Sequence, residues 1–147
     1  MNDITASPQK EAPEGTRALA GHSTVGTNDL DAAAAYYDKL LAVFGIGRVL
    51  VQPGRAVYYG HRTLEFGVTK PFNGEMAVAG NGTMVAFEAR SRAQVDQAHA
   101  TALEAGGSDE GAPGPRGPDG GDPYCAYFRD PEGNKFLVYR KGPDEAR

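Results

Sequence analysis

A chain of 147 residues with a net charge of −4 suits a single domain, and a compact fold of that size buries about 70% of its unfolded surface. No Lys/Arg stripe marks a nucleic-acid footprint, no apolar run approaches a membrane span, and one Cys with three His is too few for a disulfide framework or a structural zinc motif. The expectation is a cytoplasmic domain whose partners include neither nucleic acid nor membrane, with many tight loops supplied by 20 Gly and 10 Pro.

Residues 1–20 are polar, carry Pro8, Pro13 and Gly15, and show no periodicity; they read as a disordered N-terminal arm. From Gly21 a pattern begins. His22 to Thr27 is a short strand, and Asn28 or Asp29 caps a helix in which Leu30, Ala33, Tyr37, Leu40, Leu41 and Phe44 recur on one apolar face. Gly45 closes that helix. Three strands follow over 47–51, 55–59 and 63–68, separated by Pro53-Gly54 and Gly60-His61. These make a first module over residues 21–69, and a Gly/Pro/Asn-rich linker spans 70–82.

The second module, residues 83–140, repeats the order. Thr83 to Glu88 is a strand, and Ser91-Arg92-Ala93-Gln94 has the spacing of a capping box. Val95, Ala98, Ala102 and Ala105 then share a helical face that ends at Gly106-Gly107. Ser108 to Pro123 is Gly/Pro-rich and acidic, which predicts a long loop with at most a short edge strand. Tyr124 to Phe128 and Lys135 to Tyr139 form a hairpin around Asp130-Pro131-Glu132-Gly133-Asn134, where Pro fixes φ, Gly accepts a positive φ, and Asp and Asn bond back to the backbone. Residues 141–147 are a polar tail.

Laid over each other, the halves keep a constant offset: His22 falls on Met84, Val25 on Phe87, Asp29 on Ser91, Tyr37 on His99 and Leu41 on Leu103. The predicted fold class is α+β. Two paired βαβββ modules form a curved mixed sheet around a cleft, with helices on the outer face.

Paired modules carrying "GNGTMVAFEA", "SRAQVDQAHATALEAGG" and "FRDPEGNKFLVY" resemble the vicinal oxygen chelate superfamily. This is the group of glyoxalase I, bleomycin-resistance proteins and extradiol dioxygenases. The resemblance spans about Gly21 to Arg140 and is closest to the small glyoxalase-like members. It implies a cleft in which a divalent ion is held by a His on the first strand of one or both modules and a Glu on the last strand. Carried over residue by residue, those positions are His22, Met84 and Leu137, with Glu65 as the first module's nearest carboxylate. Thioether and alkyl groups are poor company for a hard divalent ion. The expectation is therefore no cofactor, with a divalent metal disfavoured, and a degenerate metal site.

The candidate residues follow from strand parity and chemistry. His22 points into the cleft, where an imidazole serves equally as a proton-transfer group or as a hydrogen-bonded structural residue. Glu65 reads as a base or ligand on one side and a solvated edge residue on the other. Met84 and Leu137, with Phe66, read as an apolar lining, and Tyr58, Tyr124 and Tyr127 as phenols with a flat apolar body and a polar tip. Arg48, Arg55 and Arg116 read as solvated cations, Arg116 within a loop of lid-like composition. Cys125 reads as a buried, inert thiol. No Ser-His-Asp order, Walker loop or dinucleotide fingerprint is present. The functional expectation is a domain that binds a small organic ligand in an apolar, Tyr-lined cleft. The alternative is a lyase, isomerase or dioxygenase using His22, with or without Glu65, and either metal-dependent or metal-free. The resemblance further implies a homodimer.

Overall fold

Both helices begin on the caps that the sequence offers. In the computed structural model, which describes residues 21–146, helix α1 spans Leu30–Ala42 and helix α2 spans Arg92–Glu104. The arm read over residues 1–20 lies outside the described residues. The Asp29 carboxylate accepts the Ala32 amide at 3.1 Å, and the Ser91 hydroxyl accepts the Gln94 amide at 3.0 Å, each satisfying a donor that the first helical turn leaves free. The capping box departs from its usual form. Gln94 Oε1 accepts the Arg90 amide at 2.8 Å, one residue before the cap, while its Nε2 donates to the Val43 carbonyl at the end of α1. One side chain thus caps its own helix and ties it to the other module.

The first module supplies strands β1 (Ser23–Gly26), β2 (Gly47–Gln52), β3 (Ala56–Gly60) and β4 (Phe66–Thr69), hydrogen-bonded in the order β1-β4-β3-β2. The second supplies β5 (Val85–Glu88), β6 (Ser108–Pro115), β7 (Tyr124–Arg129) and β8 (Lys135–Arg140), in the order β5-β8-β7-β6. Each module pairs its first and last strands in parallel and the rest antiparallel. The repeat legible in the sequence is thus a repeat of topology.

Strand β6 corrects the expectation of a long loop over 108–123. Its Pro113 and Pro115 lack amides to give to a ladder, but β6 has only one neighbour, and an edge strand tolerates proline. Two register shifts along β7 absorb the misfit.

The eight strands form two four-stranded sheets rather than one continuous sheet. Val25, Val57, Tyr59, Phe66 and Val68 from the first sheet, and Ala126, Phe128, Phe136 and Val138 from the second, join one core with both helices. Phe66 meets Phe87 at 5.4 Å and Phe136 at 5.8 Å between ring centroids, so the helix-bearing sides of the sheets close on each other. The helices meet there too, where the Tyr36 hydroxyl donates to the Ala102 carbonyl at 3.1 Å. Each aromatic pair adds about 0.5–1.5 kcal/mol beyond its buried area. The modules therefore pair within the chain, and the sheet faces away from the helices look outward.

The polar tail folds back on this body. The Glu145 amide donates to the Arg90 carbonyl at 2.8 Å, and Asp144 accepts the Arg92 amide at 3.0 Å. Among the described residues no helix is long and apolar enough to cross a membrane.

Candidate functional site

On the first sheet, strand alternation sends Val57, Tyr59, Phe66 and Val68 inward and leaves Thr24, Tyr58 and Gly67 on the outer face. The Tyr58 ring lies against Gly67, where a Cβ would meet the ring at 2.5 Å. His22 stands edge-on to the same ring, with centroids 5.8 Å apart. His22 and Tyr58 are thus brought together. Glu65 is exposed, and its Oε2 accepts the His61 amide at 2.7 Å, closing the connection between β3 and β4.

On the second sheet, Leu137 lies across from Tyr127 on one side and from Ala86 on the other, all on the outer face. Met84 precedes β5, falls on the side of Ala86 by alternation, and is 44% exposed. Lys135 and Leu137 are two apart on β8 and share that face. The Lys135 ammonium lies 5.6 Å, and the Arg116 guanidinium 5.9 Å, from the centroid of the Tyr127 ring. Lys135 is missing from the sequence reading, although its spacing from Leu137 places it there. Cys125 is 2% exposed on this sheet, and burial pushes its thiol pKa up, as suits an unreactive group.

Two candidate lining residues turn away from the outer faces. Phe66 is 3% exposed and packs in the aromatic core beside Tyr37, because its parity matches Val68 rather than Gly67. Tyr124 shares parity with Ala126 and Phe128, so its hydroxyl reaches helix α2 and donates to Asp96 at 2.6 Å, while Arg92 covers its ring at 5.1 Å. That bond to Asp96, with partial burial, raises the phenol pKa. Tyr124 is a helix-to-sheet strut and no part of either outer face.

A crevice of about 660 Å³ opens between the modules. His22, Glu65 and Phe66 line it with Phe44, Phe87 and Glu88. The predicted residues are therefore divided among this crevice, the first sheet's outer face (His22, Tyr58) and the second sheet's outer face (Met84, Leu137, Tyr127). Ala86, which lies across from Leu137 on β5, lines the crevice together with His22, so the crevice reaches the edge of the second sheet's outer face while Leu137 itself stays out of it.

The donor chemistry does not fit a divalent ion of the family type. The positions equated by the internal repeat and the last strand carry His22, Met84 and Leu137. Among the described residues no group of three or more His, Cys, Asp or Glu side chains stands ready to hold a metal.

The glyoxalase/bleomycin resistance protein/dioxygenase superfamily model matches residues 19–138. No curated protein matches the chain. Among solved structures, a glyoxalase/bleomycin resistance protein from Albidiferax ferrireducens T118 is 38% identical, covering 85% of this chain and 100% of its own, with a TM-score of 0.75. Lactoylglutathione lyase from Agrobacterium tumefaciens is 27% identical over 85% of this chain and 95% of its own, at a TM-score of 0.61. A glyoxalase-related enzyme from Fulvimarina pelagi shares the fold at 22% identity, 86% and 94% coverage and a TM-score of 0.65. With two βαβββ modules in matching order and a family match over most of its length, the chain belongs to the glyoxalase/bleomycin resistance protein/dioxygenase superfamily.

Proposed function

We propose that the protein binds a small organic ligand on the Tyr-bearing outer faces of its sheets, without a metal of the family type. The observation that carries this reading is the second sheet's outer face. Met84 and Leu137 occupy two positions where relatives are expected to place metal donors, and Leu137 stands directly across from the half-buried ring of Tyr127. A thioether, an isobutyl group and a phenol make an apolar platform with one hydrogen-bonding tip, which suits an organic ligand better than a cation. On the first sheet, Tyr58 and His22 supply a similar platform with a titratable neighbour.

The test is metal content by mass spectrometry on protein purified without tag or chelator, with the double variant Met84→His/Leu137→Glu beside it. The expected result is a metal-free parent and a variant that takes up Ni²⁺ or Zn²⁺. About one ion per chain in the parent would overturn the metal-free reading.

A second reading has one specific observation in its favour: His22 and Glu65 line the same crevice. In that reading the protein is a lyase, isomerase or dioxygenase, as the likeness to a lactoylglutathione lyase suggests, and His22 moves a proton. Unchanged turnover in His22→Ala, on any substrate found, would remove it.

The outer faces are open in the single chain, and we place a second copy of the chain against them, as a homodimer. Val49, Leu50 and Val51 on β2, with Phe72, Met76 and Val78 in the linker, are exposed large apolar side chains, the kind of surface a partner covers. A cytoplasmic setting completes the reading, since the one thiol, Cys125, is unpaired and buried.

A further inference from the structure

We propose that the outer face of the second sheet takes a small organic anion, its acidic group held by Arg116 and Lys135 and its apolar body lying over Tyr127, Leu137 and Met84. This names the ligand class for the site proposed above and rests on that reading.

Both cations stand within 6 Å of one ring centroid, Arg116 at 5.9 Å and Lys135 at 5.6 Å. Neither forms an ion pair among the described residues, whereas Arg48, Arg92, Arg129 and Arg140 each have a carboxylate. Among the described residues the Arg116 side chain has one hydrogen bond, from Nη2 to the Ala112 carbonyl at 2.6 Å, which leaves further guanidinium donors available there. Its backbone is fixed, since its amide donates to the Pro123 carbonyl at 2.8 Å. Across from Tyr127 on β6 stands Gly111, where a Cβ would come within 3.0 Å of the ring and 3.5 Å of Arg116 Nη2. The absent side chain lets ring and guanidinium share that space.

The chain as a whole carries a charge of −4, so two unpaired cations over one apolar platform stand out against its background. A guanidinium beside an ammonium gives a planar fork and a mobile point charge, a pairing suited to a carboxylate or sulfonate. The apolar platform supplies area for a hydrocarbon body. Neither part alone selects; together they favour an anion with an apolar skeleton over a neutral molecule of the same shape.

The experiment is a fluorescence titration of the full chain with two probes of one skeleton, 8-anilinonaphthalene-1-sulfonate and the uncharged N-phenyl-1-naphthylamine. The chain has no Trp, so probe emission is read directly. At low salt the sulfonate probe is expected to bind roughly tenfold tighter, the gain of about one charge-assisted contact, and salt is expected to narrow the gap. Arg116→Gln/Lys135→Gln, shown to be folded by circular dichroism, should bring the sulfonate probe down to the neutral probe and leave the neutral probe unchanged. Leu137→Glu should weaken both. Equal binding of the two probes by the parent, or a sulfonate preference that survives the Gln variant, overturns the anion inference while the ligand-binding face stands. If neither probe binds, or Leu137→Glu changes neither, the ligand-binding reading itself fails.

Discussion

The Tyr37 hydroxyl donates to Asp130 inside the core, joining helix α1 of the first module to the β7–β8 turn of the second. Asp130 is 5% exposed, and its carboxylate also accepts the Glu132 amide, the Asn134 amide and Asn134 Nδ2. The Asn134 side chain further donates to the Gly26 carbonyl at 3.1 Å, reaching the first sheet. A turn that reads in the sequence as a local reversal is therefore the polar joint between modules. Buried carboxylates persist only with partners of this kind.

Tyr37→Phe keeps the ring packing and removes one donor from that carboxylate. The expected loss is about 1.5–3 kcal/mol of stability, the range for a hydrogen bond to a charged group. Urea unfolding measures it, and the m-value should be unchanged. A loss near zero would show that the turn is held by its local bonds alone.

The same contact sets a pH dependence. Tyr37, Tyr36 and Tyr59 all have phenol pKa values raised above the ordinary 10.0, in each case first by burial and then by a neighbouring carboxylate, Asp130 for Tyr36 and Tyr37 and Asp38 for Tyr59. Below pH 10.0 folded and unfolded chains hold these protons alike, and stability is full. Above it the unfolded chain releases protons that the folded chain keeps, so stability falls as pH rises, by about 1.4 kcal/mol per pH unit for each phenol still protonated. Thermal melts from pH 8 to 11 should show a decline beginning near pH 10. The decline should be shallower in Tyr37→Phe once its starting stability is allowed for.

The repeat, the two helices and their caps, and the closing hairpin were legible because each rests on local chemistry: a capping oxygen, an apolar stripe, a turn composition. What was not legible depends on which way a side chain faces after packing. Tyr124 and Tyr127 are three residues apart on one strand, and alternation alone puts them on opposite faces, but only the structure shows that α2 lies on the Tyr124 side. Which side Phe66 takes is set in the same way, by pairing with Ser23 and Tyr59 rather than by its own segment. Strand β6 was hidden because Gly and Pro weaken a strand pattern, and an edge position excuses them. Where the two sheets meet depends on how the modules pair, a contact between Phe66, Phe87 and Phe136 that no spacing announces.

Gly67 is where the first outer face is most sensitive. An added Cβ would stand 2.5 Å from the Tyr58 ring and 3.3 Å from Thr24 Cγ2. Gly67→Ala is expected to push Tyr58 aside, break its edge contact with His22, and cost about 1–3 kcal/mol by overpacking. The diagnostic readout is NMR of the His22 ring protons, whose shifts carry the ring current of Tyr58 5.8 Å away. Unmoved His22 resonances in a stable variant would show that the Tyr58 ring is not held against Gly67.

The apolar surface of β2 and the linker gives the last prediction. Val49, Leu50 and Val51 are 41–47% exposed on an edge strand, and Phe72, Met76 and Val78 are 80–89% exposed. The linker that carries them is held in place, since Asn28 and Ala77 exchange two hydrogen bonds, at 2.7 and 3.2 Å. Exposed apolar side chains held in place cost free energy in water, and an unpaired edge invites association. Leu50 is paired with Tyr58 across β2 and β3, so Leu50 belongs to the first outer face. Light scattering coupled to gel filtration should give a dimer for the parent. Leu50→Lys/Phe72→Ser should give a monomer whose circular dichroism is unchanged, because neither side chain belongs to the core. A monomeric parent would remove the second copy from the ligand site and leave each outer face to bind alone.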